Sequence, residues 1–363
     1  MNTFGKTIAL TIFGESHGLS IGAVLDGLPA GEAIDWDAVR MEMARRAPGK
    51  NPMSTARSEK DAFEIQSGFF NGYTTGTPLC AVIRNSDQHS RDYDQLRHLM
   101  RPGHADYSGK IRYSGFNDYR GGGHFSGRLT APLVLAGAIA SQMLARCGII
   151  SGAHILRLAG VEDTPFKATG ESPDMLTALK KETLPVIDKT KASLMETRIL
   201  EAKNSLDSVG GVIECMVTGL PAGLGDPFFD SVESQISHMM FSVPAVKGIE
   251  FGDGFAMADM RGSEANDSFY YDGKTVKTRT NHNGGINGGI TNGMPVVFRL
   301  AIKPTASISQ PQQTIDTDTK ENCELVIKGR HDPCIVQRAV PVIEAAVAWT
   351  VLDILLTMKG RCR

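Results

Sequence analysis

The residues best suited to chemistry lie in one stretch, 101–128, which reads RPGHADYSGKIRYSGFNDYRGGGHFSGR. It contains seven glycines, five Lys or Arg and two His, and too few apolar residues to form a helix or strand that faces a core. Arginine side chains offer planar forks that match phosphate and carboxylate groups. His104 can exchange a proton near neutral pH, and Gly121, Gly122 and Gly123 let backbone amides approach a ligand closely. The stretch therefore indicates a lining for a small polyanionic molecule, the alternative being an exposed, flexible loop.

Four other loops carry similar residue types. Ser16 and His17 lie in the polar segment GESHG between two strand candidates at residues 6–13 and 21–25, which places them on a tight turn. A second glycine-rich loop spans residues 281–289, and residues 303–307 and 328–334 are basic loops. A solvated histidine on an ordinary hairpin remains the alternative for His17.

The intervening segments predict the elements that position these loops. Asp35 is expected to cap a helix that begins at Trp36 and ends near Pro48, and Asp230 with Glu233 is expected to cap another. Residues 130–144 carry no charge and are apolar on nearly every side, which is typical of a fully buried helix. Its amino terminus follows Arg128 directly, so its amides and dipole are expected to face the same anion. A further helix is predicted over residues 192–206, and the predicted strands are residues 62–68, 79–84, 212–217, 249–251 and 296–302.

Composition limits the class of protein. The chain has 363 residues and a net charge of −2, which argues against non-specific nucleic-acid binding. Six scattered cysteines and a first segment without a secretory pattern predict a cytoplasmic protein with reduced thiols. The apolar segment 339–358 contains Pro341, Glu344 and Asp353, so we expect a core helix and no membrane association. The strand and helix candidates give an α+β pattern, and the sequence has no long internal repeat, low-complexity tail or linker-like tract, so we expect residues 1–363 to form a single compact domain.

Several common sites do not match. Residues 103–110 have the wrong glycine spacing for a phosphate-binding P-loop, and the dinucleotide signature GxGxxG is absent. No metal is predicted, because no His or Cys set has zinc-ligand spacing. No GxSxG nucleophile elbow is present either.

The motifs nevertheless occur in a recognisable order, and over essentially its whole length the sequence resembles the chorismate synthase family. The motifs that carry this resemblance are FGESHG at 13–18, RPGHAD at 101–106, YRGGG at 119–123, SGR at 126–128, KPT at 303–305 and GRHDPC at 329–334. It implies helices sandwiched between two antiparallel β-sheets and a cytosolic homotetramer. The implied reaction converts 5-enolpyruvylshikimate-3-phosphate to chorismate and phosphate with reduced FMN. NADPH is a candidate reductant, used either by this protein or by a separate flavin reductase.

The resemblance also assigns roles to residues. His17 would protonate the departing phosphate, His104 would protonate the flavin ring, and Asp332 would accept a proton by way of the flavin, with Ser16 and Ser126 completing the relay. The substrate-binding arginines would be Arg46, Arg57, Arg101, Arg128 and Arg338. The FMN contacts would come from His124, Phe125, Ser126, Arg128, Pro244, Ala245, Gly288, Lys303, Pro304, Thr305, Ala306, Ser307 and Arg330.

Some of these positions depart from the family pattern. Relatives usually have Arg-Ser-Ser where this chain has His124-Phe125-Ser126, and the usual Asn-Ala appears as Pro244-Ala245. A basic position associated with nicotinamide binding is Pro52, the third of a usual arginine triplet is Ala47, and KPTSS has become KPTAS.

Two other functions remain open at this point. A flavin reductase or other FMN oxidoreductase would use the same Gly and Arg loops and would consume NADPH without the phosphate substrate. A non-catalytic polyanion-binding module would bind the substrate tightly and release no phosphate.

Overall fold

A computed structural model describes residues 1–48, 53–54, 61–85, 97–327 and 331–361. Most of the strands form two five-stranded antiparallel sheets. These strands are β1 (Thr3–Phe4), β2 (Ala9–Gly14), β3 (Ser20–Asp26), β4 (Phe63–Ser67), β7 (Leu79–Arg84), β8 (Ile150–Leu158), β9 (Val161–Glu162), β10 (Gly211–Thr218), β11 (Val246–Phe251) and β16 (Val296–Ile302). The first sheet has the strand order β1-β2-β3-β7-β4 and the second the order β11-β16-β10-β8-β9.

The other strands form small hairpins. They are β5 (Phe69–Phe70) with β6 (Tyr73–Thr74), β12 (Phe269–Asp272) with β13 (Thr275–Thr278), β14 (Ile286–Asn287) with β15 (Ile290–Thr291), and β17 (Gln312–Asp316) with β18 (Glu321–Leu325). The helices are α1 (Trp36–Arg46), α2 (Asp106–Arg112), α3 (Thr130–Arg146), α4 (Pro173–Leu179), α5 (Lys189–Asn204), α6 (Val232–Ser242), α7 (Gly262–Ala265) and α8 (Val336–Arg361).

The helices α3 and α8 form the layer between the two sheets. α3 contacts β2, β3 and β7, α8 contacts β8 and β10, and the two helices pack extensively on each other. They approach closely at Gly137, where a Cβ atom would lie 2.3 Å from Cα of Ala345. The predicted α+β fold, with helices between two antiparallel sheets, is confirmed.

Two buried carboxylates on α8 tie the helix layer to both sheets. Asp353 accepts hydrogen bonds from the backbone N–H groups of Lys6, Thr7 and Ile8 at 2.9, 2.8 and 3.0 Å. Glu344 accepts one from the backbone N–H of Ala153 in β8 at 2.9 Å and pairs with Arg45 of α1. These two residues are nine positions apart, which places them on opposite sides of the helix.

Two helical segments, Gly127–Arg146 and Val336–Met358, are long and apolar enough to cross a membrane by length and composition alone. In the structure 83% and 89% of their apolar windows are buried inside the protein. Both are therefore core helices of this fold, as expected for residues 130–144 and 339–358.

Of the two predicted helix caps, one is confirmed and one is wrong. Asp35 caps α1 as expected, accepting hydrogen bonds from the N–H groups of Asp37 and Ala38 at 2.9 and 3.1 Å. The predicted cap Asp230 is wrong, because Ser231 caps α6 and accepts from the N–H of Ser234 at 3.1 Å. Asp230 is already engaged, since its backbone pairs with that of Asp226 and its carboxylate pairs with Lys6.

Candidate active site

One large cavity, of about 860 Å³, lies where the stretch 101–128 meets the ends of α1 and α6 and the start of α8. Among the described residues, six Lys and Arg side chains line it: Arg46, Arg101, Arg128, Lys247, Lys303 and Arg338. Asp332 is the one carboxylate that lines it within the described part of the chain. Apolar side chains also line it, including Phe4, Leu10, Ile12, Met239 and Val243. The cavity thus combines a cationic part, called the cationic wall, with an apolar part.

The stretch 101–128 lines the cationic wall and contains no long helix or strand. It contains the short helix α2, whose Tyr107 and Ile111 are exposed and of which only Gly109 is buried. The expectation that the stretch builds no core-facing element is therefore confirmed. Gly121, Gly122 and Gly123 have φ values of 60°, 92° and 54°, a region that glycine adopts without strain.

This glycine triplet contacts both proposed acids. A Cβ on Gly121 would lie 2.4 Å from Nε2 of His17, and one on Gly122 would lie 3.2 Å from Cε1 of His104. Ser16 ties its own loop to the triplet, because its N–H donates to the Gly123 carbonyl at 3.1 Å and its hydroxyl donates to the Arg120 carbonyl at 3.2 Å. Ser16 and His17 are buried and lie directly behind Gly121, which lines the cavity.

His104 lines the cavity and is oriented by two neighbours. Its Nδ1 lies 2.7 Å from a carboxylate oxygen of Asp106, and the Arg101 guanidinium lies 3.1 Å from the same nitrogen. Arg101 also makes a two-pronged contact with Asp106, at 2.7 Å for each pair of atoms. Burial alone would raise the pKa of Asp106, but hydrogen bonds from Arg101 and His104 hold that pKa well below its usual range. Asp106 is therefore ionised and fixes the imidazole ring.

Arg46 and Arg128 are held together by Asp61, which the sequence did not single out. One oxygen of Asp61 accepts from Nε of Arg46 at 3.0 Å, and the other pairs with Arg128. All three side chains are buried. Burial favours the neutral carboxyl, yet the two guanidinium groups hold the pKa of Asp61 below its usual value. Arg46 and Arg128 thus share Asp61 as a buried counter-ion.

Asp332 is fixed by Arg338 and Ser54. Its Oδ2 lies 2.6 Å from the Arg338 guanidinium and its Oδ1 lies 3.2 Å from the Ser54 hydroxyl. Arg338 also donates to the Arg46 carbonyl at 3.0 Å, so α1 and α8 meet here. Arg338, expected to bind substrate, also serves to orient Asp332.

The positions expected to contact a flavin form a continuous part of the wall. His124, Phe125 and Ser126, Pro244 and Ala245, and Lys303 through Ser307 all line the cavity. Lys303 donates to the Gly103 carbonyl and so joins two of the motif loops. Thr305 has a buried hydroxyl with no hydrogen-bond partner among the described residues. Such an orphaned group indicates a place for a polar ligand atom.

The remaining site positions lie elsewhere. Gly288 is in the β14–β15 turn, next to the amino end of α6, whereas the cavity is at the carboxyl end of that helix. Gly288 does not line the cavity, so the structure does not bring it together with the other expected FMN contacts. Arg57 and Arg330, like Pro52, lie outside the described residues.

Comparisons with known proteins agree on one family. A family model described as chorismate synthase matches residues 8–356. A chorismate synthase from Thermococcus gammatolerans is 46% identical over 98% of each chain. One from Dehalococcoides mccartyi is 44% identical over 98% of this chain and 96% of its own. A solved structure titled as a crystal structure of chorismate synthase superimposes with a TM-score of 0.77 and 29% identity, over 98% of this chain and 94% of that one. The chain belongs to the chorismate synthase family, a family of lyases of aromatic amino acid biosynthesis.

Proposed function

We propose that this protein catalyses the anti-1,4-elimination of phosphate from 5-enolpyruvylshikimate-3-phosphate, giving chorismate, with reduced FMN as cofactor. The observation that carries the proposal is the cavity itself. Its cationic wall includes His104 and Asp332, and Gly121, which lines the cavity, packs against His17. Family membership supports the same reaction.

The charges on the cationic wall suit this substrate, which has one phosphate and two carboxylates. Arg46 and Arg128 share Asp61, and Arg101 is paired with Asp106, so each arginine is already fixed before an anion arrives. Guanidinium groups held in this way lose little side-chain entropy on binding. The arginines are therefore proposed to orient the substrate in the cavity.

Proton placement is assigned to His17, which is buried, and to His104 and Asp332, which line the cavity. His17, behind Gly121, holds a proton for the departing phosphate, and Ser16 anchors the loop that carries it. His104 holds a second proton at the cofactor side of the cavity, oriented by the ionised Asp106. Asp332, oriented by Arg338 and Ser54, accepts the proton that leaves carbon. Ser126 caps the turn before Arg128, accepting from its N–H at 3.2 Å.

The apolar part of the cavity lining fits a flavin mononucleotide. Its apolar residues can cover a flat ring, and the loop Lys303–Ser307 adds a lysine and the orphaned Thr305 hydroxyl for polar groups. When bound, reduced FMN supplies electron density that assists departure of the phosphate. The chain contributes binding, orientation and exclusion of water.

We also propose that residues 1–363 form one domain and that it works as a cytoplasmic homotetramer. Phe228 and Phe229 are 90% and 92% exposed, an apolar surface that association would cover. Light scattering of the purified protein measures the number of chains.

Turnover is expected to require reduced FMN in catalytic, not stoichiometric, amount. The measurement is anaerobic phosphate and chorismate release with reduced FMN, alone and beside a mixture of oxidised FMN and NADPH. Many chorismate molecules should form per flavin. Equal activity with oxidised FMN and no reductant would contradict the proposal, and steady NADPH consumption without the phosphate substrate would instead favour a flavin oxidoreductase.

FMN affinity is expected to depend on His124, where relatives usually carry arginine. Nδ1 of His124 lies 2.8 Å from the Gly14 carbonyl oxygen, so this nitrogen donates and Nε2 is left for a ligand. A histidine can supply the positive charge that arginine supplies in relatives, but only in its protonated form. As pH rises, wild type should therefore bind reduced FMN progressively more weakly than titration of the FMN phosphate alone would predict.

The control separates this effect from the titration of the FMN phosphate, which occurs at about 6. Dissociation constants for reduced FMN are measured between mildly acidic and mildly basic pH for wild type and His124→Asn. Parallel curves for the two proteins would show that His124 only supports the loop.

A further inference from the structure

Asn85, the residue after β7, hydrogen-bonds at once to the loop that carries His17 and to Arg128, which lines the cavity. Its side-chain nitrogen donates to the carbonyl groups of Glu15 and Gly18, at 3.0 and 2.8 Å. Its side-chain oxygen accepts from Nε of Arg128 at 3.2 Å. One amide group thus spans the two ends of the Ser16-His17 segment and one of the buried arginines.

The chemistry of these partners requires an asparagine in this orientation. Both partners of Nδ2 are carbonyl oxygens, which only accept, and the partner of Oδ1 is a guanidinium, which only donates. A flipped amide would place Oδ1 against the carbonyl oxygens of Glu15 and Gly18, and the Nδ2 hydrogens against the N–H of Arg128. An aspartate could still accept from Arg128, but it would lose both donated bonds and place negative charge against two carbonyl groups.

The Ser16-His17 segment is held between two supports. On one side Ser16 bonds to the carbonyls of Gly123 and Arg120, and Gly121 packs against the His17 ring. On the other side stands Asn85, whose backbone N–H also donates to the Leu19 carbonyl at 3.2 Å. Truncating the Asn85 side chain would therefore remove its bonds to Glu15 and Gly18 at the two ends of the segment, while leaving the glycine triplet in place.

We propose that Asn85 is a positioning residue that couples Arg128 to His17, so that the arginine that binds the anion also fixes the acid that protonates it. The inference rests on the proposed function for the role of His17, and the contact itself rests on the hydrogen bonds above. Displacing a catalytic group by about 1 Å can lower a rate by on the order of 100-fold. Asn85 is placed to prevent such a displacement.

The test compares Asn85→Ala and Asn85→Asp with Asn292→Asp. Asn292 is a matched control, because its side chain also donates and accepts, to Asn287 and from Met294, and it does not line the cavity. Both Asn85 variants should lower kcat by about 10- to 100-fold. Their dissociation constants for substrate should stay within roughly threefold of wild type, because Asp61 still holds Arg128. A dissociation constant that rises as much as kcat falls would overturn the proposal.

A double-mutant cycle distinguishes positioning from a general structural effect. In the His17→Ala background, Asn85→Ala should lower the residual kcat by less than about threefold, because the acid it positions is gone. A loss of the same size in both backgrounds would overturn the coupling.

Amide hydrogen exchange provides a readout that does not depend on turnover. Exchange in residues 15–18 should accelerate in Asn85→Ala and stay at the wild-type rate in Asn292→Asp. Unchanged exchange in Asn85→Ala would overturn the proposal directly. If wild type itself releases no phosphate, the proposed function fails, whereas the exchange rates still decide whether Asn85 holds the segment.

Discussion

His17→Ala and His104→Ala are each expected to lower turnover by about 100- to 10,000-fold, the usual loss when a positioned acid is removed. His104 lies at the cavity wall and His17 packs on Gly121 next to it, and neither is one of the arginines assigned to the substrate. The variants should therefore bind substrate and reduced FMN with constants close to those of wild type. Single-turnover phosphate release, measured at saturating ligand, separates the chemical step from binding.

His98→Ala is the matched control for these variants. Its imidazole faces Asp316 at 3.7 Å and does not line the cavity, so turnover should be unchanged. Asp332→Asn should resemble the two active-site variants, because an amide can still bond to Arg338 but cannot accept the proton. Weakened FMN binding with near-normal turnover at saturating flavin would show that the assigned roles of the histidines are wrong.

Asp61→Ala is expected to destabilise the protein by about 3–5 kcal/mol, because it leaves two buried guanidinium groups without their shared counter-ion. The Asp61 side chain has no solvent exposure, and each of its oxygens contacts a different arginine. Urea unfolding at neutral pH measures the free-energy difference. The exposed pair Asp272 and Lys277 provides the control, since Asp272→Ala should change stability far less.

The same carboxylate predicts the direction of a pH effect. The folded-state pKa of Asp61 is depressed below its ordinary value of 3.8, so its stabilisation is fully present above that value and is lost as pH falls through the folded-state pKa. The stability difference between wild type and Asp61→Ala should therefore narrow at strongly acidic pH. If this stability difference stays constant down to a pH at which the carboxyl groups are fully protonated, Asp61 is not ionised in the folded protein.

Local patterns in the sequence were sufficient for the elements that carry the site. The cap Asp35, the all-round apolar run after Arg128, and the polar turn at Ser16 each follow from residues within a few positions of one another. The motif order was sufficient for the family. The cap of α6 shows the limit: Ser231 and not Asp230 occupies that position, and Asp230 pairs with Lys6, which is far away in the chain.

Asp61 and Asn85 could not have been found in this way. Asp61 is 67 positions from Arg128, and Asn85 is 67 positions from Gly18. Each looks like an ordinary polar residue beside a strand, because its partners come together only in the folded chain. A buried carboxylate with two arginines and an amide with a fixed orientation are tertiary features, and neither leaves a spacing pattern in the sequence.

The contact of Asp353 with the first turn has a consequence for the order in which the chain folds during synthesis. The N–H groups of Lys6, Thr7 and Ile8 are made well before their acceptor, which is 345 to 347 residues further along the chain. A ribosome-bound chain that lacks α8 cannot satisfy them in the native way, and closing so long a loop is slow. The turn between β1 and β2 can therefore reach its native form only after translation has passed residue 353, however early the strands of the first sheet pair.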